Sequence, residues 1–192
     1  MVRNESQEMS GPGSYGWVQS EFEAYSAWDP AKTRVDKTEE GIQLTLQLWT
    51  RLTTTFHGQH YHTKNAVLEP KPVQQPHPPL LFGGEGPRML RLAGKHADIC
   101  FIPPWIDFTK AKQTAIEAAK RWKRQHTLAF AAGAPSAQPP YLGPTYTPEL
   151  YSRRIEEARE ARCDYFVVPF PRKTYQASMK HFARDILPSF SD

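Results

Sequence analysis

Cysteine is scarce in this chain, with 2 among 192 residues. Cys100 and Cys163 lie far apart, each beside or within an apolar run. That pattern argues against a disulfide scaffold and fits buried free thiols in a reducing compartment. Long apolar runs are missing too. None approaches the ~20 residues needed to span a bilayer, and residues 1–13 lack the apolar centre of a secretory signal. Neither sign of charge forms a block. The 24 Lys and Arg are scattered among 20 Asp and Glu, leaving a net charge of +4. Nothing beyond this mild basicity points to nucleic acid. The composition therefore predicts a cytoplasmic protein with neither nucleic-acid nor membrane partners. Apolar residues are also sparse, at 39%, while prolines number 18, so much of the length is expected to be loop.

What is present centres on Pro78-Pro79-Leu80-Leu81-Phe82-Gly83-Gly84-Glu85-Gly86-Pro87-Arg88. Leu80 to Phe82 is an apolar run too short for a helix. Gly83, Gly84 and Gly86 follow, residues that allow close approach of a ligand to the backbone. Pro87 occupies the first position of a predicted helix, where its missing N–H is no loss. Leu90 and Ala93 begin the apolar face of that helix. A helix that opens straight after a glycine turn aims free N–H groups and a positive dipole end into the turn. That is a phosphate-binding arrangement. The same residues also suit a tight strand-to-helix turn that holds no ligand.

The rest of the chain alternates. Residues 1–13 read as disordered and residues 14–192 as one domain. The spacing of Asp36 and Glu39 predicts a capped helix with Ile42, Leu46, Trp49 and Leu52 on one face. Residues 53–78 read as extended loop or a hairpin around Gly58. Apolar strands are predicted at 97–102, 128–132 and 165–168, besides 80–82. Between them lie a helix from Asp107 to about Gln125 and one opened by Thr147 and Pro148. A last helix carries Tyr175, Met179, Phe182 and Ile186 and stops at Pro188. Nearly all-apolar strands alternating with helices indicate parallel βα units with both sheet faces covered. The fold class is α/β. A complete eight-unit barrel needs roughly 250 residues, so four to five units of a partial barrel are expected.

Three stretches carry a family resemblance. They are Gly16-Trp17-Val18-Gln19-Ser20-Glu21-Phe22-Glu23-Ala24-Tyr25 with Arg34 and Glu40, then Phe56-His57-Gly58-Gln59-His60-Tyr61, and then Pro70 through Pro87 with Arg91-Leu92-Ala93 and Ala97-Asp98. Together with Asp164 to Pro169 and the segment from Phe182 to Pro188, this order resembles the luciferase-like monooxygenase family. That family holds bacterial luciferase and the deazaflavin (F420)-dependent oxidoreductases, and the F420 type is the more similar. The resemblance implies a TIM-type β/α barrel of which this chain holds the later part, without the first three strands. It implies coenzyme F420, or alternatively FMN, acting on a small-molecule substrate. The cofactor phosphate would be held by Gly83, Gly84, Gly86 and Pro87, with Arg88 adding charge, and Gly16 would lie near the ring. Trp17 replaces an acid found there in some members and reads as a core or lid aromatic. Glu21 and Tyr25 read as structural, and Asp98 as the anchor of a strand end or of the adjacent helix.

No catalytic residue is assigned from the sequence. His57, His60 and His62 have metal-like spacing, but they fall on the family's non-metal "F-x-G-x-x-Y" element, and no metal is expected. The alternatives are a non-catalytic half-barrel that binds a phosphate-bearing ligand or a partner chain, and an inert gene fragment. A half-barrel leaves strand edges and core surface bare. Homo-oligomerisation through those edges, or aggregation, is therefore expected, with little activity from the chain alone.

Overall fold

The computed structural model describes Gln19, Glu23 and residues 28–133 and 147–190. The readings of Gly16, Trp17, Glu21, Tyr25, the 1–13 segment and most of the 133–146 loop lie outside these residues. The chain divides into two compact units, Met1–Leu80 and Leu81–Asp192.

In the first unit, helix α1 runs from Ala31 to Thr50. It begins five residues before the expected Asp36. Pro30 occupies the N-cap position with φ −53°, and the residues after it are good helix formers. Asp36 therefore sits inside the helix, paired with Lys32 one turn earlier, and the anticipated capping box does not form. Thr38, Gly41 and Ile42 are buried. Leu52, placed on the apolar face by its spacing, lies beyond the last turn and is 82% exposed. Residues 53–78 contain the hairpin that Gly58 suggested. Strand β1 (Thr54–His57) pairs antiparallel with β2 (His62–Ala66), with Phe56 opposite Thr63 and His57 opposite His62. Lys71 ties the following segment down by donating to the carbonyls of Leu48 and Leu68 at 3.0 and 2.7 Å.

The second unit holds β3 (Leu81–Gly83), α2 (Pro87–His96), β4 (Ile99–Ile102), α3 (Phe108–Arg121), β5 (Ala129–Gly133), α4 (Pro148–Glu160) and β6 (Tyr165–Val167). A closing helical segment follows: α5 (Tyr175–His181), a π-helical turn (Phe182–Ile186) and a 3-10 turn (Leu187–Phe190). The four strands form one parallel sheet in the order β3-β4-β5-β6. This is the α/β, partial-barrel architecture expected from the alternation. Side chains alternate between faces along each strand. The register therefore puts Phe82, Cys100, Ile102, Phe130, Ala132 and Phe166 on one face. That face is the covered one. Phe82, Cys100, Ile102 and Phe130 are buried, and Phe166 packs against the cluster of Tyr151, Ile155, Phe182 and Ile186. Phe82, Ile102 and Phe130 contribute about 1.5–3 kcal/mol each by apolar burial. Helices α2 and α3 pack closely because α2 carries Gly94. A Cβ there would fall 2.3 Å from the Ala115 carbonyl oxygen.

The opposite face differs from expectation. Tyr165 and Val167 of β6 are 52% and 46% exposed, so the last strand is not buried on both sides. The closing helix differs as well. Tyr175 and Met179 are exposed, while Phe182 and Ile186 are buried. The π-helical turn widens the helix there and shifts the phase of the face, and Ser178 takes an inward position. Pro188 lies within the 3-10 turn and does not end the segment.

Candidate cofactor-phosphate site

The loops that follow the C-terminal ends of parallel strands are where ligands bind in sheets of this kind. Gly83 ends β3, Gly84 and Glu85 turn the chain, Gly86 caps α2, and Pro87 is its first residue. The three glycines have different reasons to be glycine. Gly84 has φ +157°, and a Cβ there would lie 2.8 Å from the Met89 Cβ. The protein itself requires that position to be bare. A Cβ on Gly83 would make ordinary contact with Phe101, at 3.8 Å. A Cβ on Gly86 would meet nothing within 4 Å, and its φ and ψ of −74° and 144° suit any residue. Nothing within the fold demands glycine at 86, so open space lies directly in front of the helix.

The helix itself is uncapped. Asp107 accepts from the Lys110 N–H to cap α3, and Thr147 accepts from the Leu150 N–H to cap α4. Glycine supplies no such group to α2. Its first internal bond runs from the Leu90 N–H to the Gly86 carbonyl at 3.0 Å. The N–H groups of Arg88 and Met89 precede that bond and point out of the helix start. Arg88 is exposed beside them. The dipole of α2 adds positive potential at the same place. An anion of phosphate size suits this donor set.

Glu85 is the contrary element, an acid inside an anion-favouring turn. Its carboxylate accepts from the Trp105 indole N–H at 2.5 Å. That bond joins the loop after β3 to the loop after β4 and fixes where the negative charge sits. Sequence reasoning did not single out either residue. The only signal for Trp105 is its place after Pro103-Pro104, at the end of a predicted strand.

The other sequence-derived residues resolve into structural roles. Asp98 pairs with Arg124 at 2.9 Å, and its carbonyl accepts from Ala129 N–H, so it anchors the starts of β4 and β5 as expected. Asp164 does the same for β6, accepting from Phe130 N–H at 2.8 Å. Glu40 is held by the hairpin turn, accepting from the N–H groups of Gln59, His60 and Tyr61 at 2.9, 2.8 and 2.6 Å. Partial desolvation opposes its ionisation, but the three amides outweigh it and hold its carboxyl below the usual range. Gly58 is bare because that carboxylate fills the space; a Cβ would lie 1.9 Å from Glu40 Oε1. Arg34 lies over the Trp28 ring, 3.7 Å from its centroid. Cys100 and Cys163 are free, and burial pushes the Cys100 thiol up to about 12. Among the described residues no three His, Cys, Asp or Glu side chains form a group that could hold a metal ion, and no helix is long and apolar enough to cross a membrane.

Comparison with known proteins follows the same line. The model of the luciferase-like monooxygenase family matches residues 11–186. The FMNH2-dependent dimethylsulfone monooxygenase of Pseudomonas putida is 33% identical over 109 residues, which is 52% of this chain and 30% of that protein. Among solved structures, a riboflavin lyase with modified FMN and riboflavin aligns with a TM-score of 0.70 at 13% identity, covering 87% of this chain and 59% of that one. The coenzyme F420-dependent tetrahydromethanopterin reductase of Methanopyrus kandleri aligns with a TM-score of 0.66 at 15% identity, covering 82% of this chain and 64% of that one. The chain thus spans about a third of the curated relative and roughly three fifths of these structures. With the family model matched along most of its length, the chain belongs to the luciferase-like monooxygenase family.

Proposed function

We propose that this chain is part of a flavin- or F420-dependent oxidoreductase or monooxygenase and holds the cofactor phosphate at the Gly83–Pro87 turn. The observation that carries the reading is the uncapped start of α2 facing open space at Gly86. The backbone N–H groups of Gly84, Gly86 and Arg88 would donate to the phosphate oxygens, and the Arg88 guanidinium would add charge at the rim. Gly84 shapes the turn, and Pro87 sets the direction of the helix. The bound ring, F420 or FMN, supplies the redox chemistry, toward a small-molecule substrate. The relatives are named for both cofactor types, so the proposal covers either. Residues 14–192 act as one luciferase-like domain in this reading, and the two free thiols suit the cytoplasm. A second reading rests on the same turn alone. In it, the chain binds a phosphate-bearing ligand without turning it over.

Calorimetric titration with FMN and with F420 tests the proposal. Gly86→Val places a branched side chain in the open space, on a backbone that accepts it, so the chain should stay folded, with the melt lowered only by the poorer N-cap. The account expects at least about tenfold weaker cofactor binding. Equal affinity of wild type and variant would make the turn purely structural. Binding without turnover would favour the second reading.

A further inference from the structure

One charged group joins the loops that follow β3 and β4. The two strands run parallel, with Gly83 opposite Phe101. The turn after Gly83 and the loop after Ile102 therefore lie at the same end of the sheet. Glu85 stands in the first and Trp105 in the second, and the indole N–H donates to the carboxylate at 2.5 Å. An indole is a donor without charge. It fixes the carboxylate in place and leaves the negative charge whole. That charge cannot leave the helix start. One peptide bond joins Glu85 to Gly86, the N-cap of α2, so the carboxylate stays within about 8 Å of the Gly86 nitrogen in any rotamer. A fixed negative charge thus borders amides that favour anions. It opposes every anion at the turn, and a doubly charged one more than a singly charged one.

We propose that Glu85, positioned by Trp105, makes the turn selective for a phosphodiester over a phosphomonoester. The inference rests on the phosphate reading of the same turn. A monoester carries about 1.5–2 negative charges at pH 7. A diester has no second proton to lose and carries a single charge. FMN ends in a monoester, while F420 joins its ring-bearing chain to its tail through a diester. Across about 8 Å of water, repulsion between two unit charges is worth roughly a factor of two in affinity. Removing the charge of Glu85 therefore helps a monoester by nearly the square of what it does for a diester. The dipole of α2 and the Arg88 guanidinium still attract either anion, so the acid grades the ligands and does not close the site.

Calorimetric titration of FMN and of F420 against the full chain and its variants tests it. Each ligand is compared with itself across variants, so ring and tail cancel. Glu85→Gln keeps an acceptor for the indole and removes only the charge. It should tighten FMN about fivefold and F420 about twofold. The difference should vanish in about 1 M salt, where the Debye length falls to about 3 Å. Trp105→Phe keeps a ring and removes the donor. The released carboxylate turns away from the bound phosphate, so FMN should tighten again, by less. Glu160→Gln removes the same charge from the last residue of α4, at the other end of the sheet, and should change neither affinity. Gly86→Val tells the two readings apart. If it leaves both affinities unchanged, or if neither cofactor binds, the turn holds no phosphate and the selectivity falls with it. Suppose instead that Gly86→Val weakens binding. Equal effects of Glu85→Gln on the two cofactors, a difference that persists in salt, or a Trp105→Phe chain that binds FMN as the wild type does would then overturn the selectivity and leave the phosphate site standing.

Discussion

Glu40 shows how one side chain can set a local conformation from a distance. Nineteen residues separate it from the first of the three amides that it accepts from. Those amides stabilise the carboxylate form, so its folded-state value lies below the ordinary value of 4.5. The sign follows from linkage. Stability from Glu40 is fully present above the unfolded-state value and is lost as pH falls through the folded-state value. Glu40→Gln removes the charge and replaces one of the two accepting oxygens by an N–H donor, and should lower the melting temperature at pH 7. The gap between wild type and variant should narrow as the pH falls below about 4, because protonation weakens the native carboxylate too. A gap independent of pH, followed by circular dichroism, would exclude the carboxylate as the cause. The family pattern includes both Glu40 and Gly58, in separate stretches. It could not say that the glycine is bare because the glutamate fills its space, since that needs a contact between residues 18 positions apart. Trp105 escaped for the same reason: its partner Glu85 stands on another loop.

The starts of α3 and α4 were more legible than their ends, and that of α1 was not, since it opens five residues before the expected Asp36. Asp107 and Thr147 cap α3 and α4 as their residue types dictate, and Pro87 and Pro148 take the first positions. The ends carry no glycine. After α3, Lys123 adopts φ +57°, its N–H donates to the Lys120 carbonyl, and the Arg124 N–H donates to the Ala119 carbonyl. After α4, Arg162 at φ +53° and Cys163 repeat the arrangement on Arg159 and Ala158. Both are Schellman terminations with a cation at the left-handed position, where glycine is the usual choice. Periodicity therefore ran α3 on to about Gln125, when it stops at Arg121. Left-handed backbone costs a non-glycine residue roughly 1–2 kcal/mol. Lys123→Gly should accordingly stabilise the chain by about 1 kcal/mol, offset in part by the greater unfolded-state entropy of glycine. Urea denaturation measures it, and a loss of stability would contradict the termination as described. The buried strands were legible to within one or two residues, because apolar runs bounded by Gly and Pro leave little choice. The π-helical turn at 182–186 was not, since nothing local to Phe182 marks a change of helical phase.

At the scale of the whole molecule, composition and alternation sufficed for the α/β class and the parallel sheet. Neither showed that one sheet face stays half bare, because an apolar strand reads alike whether or not something covers it. The glycine turn was legible as a pattern, while its two supports were not. One is the open space before Gly86. The other is the missing side-chain cap of α2, beside two helices that have theirs. The functional account rests on that turn. Amide proton–nitrogen spectra of the labelled chain, recorded as FMN and then F420 are added, test it most directly. For at least one cofactor the largest saturable shifts should fall on Gly84, Gly86, Arg88 and Met89. The amides of Lys110 and Leu150, already bonded to their caps, should stay in place. Saturable binding of either cofactor that leaves the Gly84–Met89 amides unmoved, or no binding of either, would contradict the account.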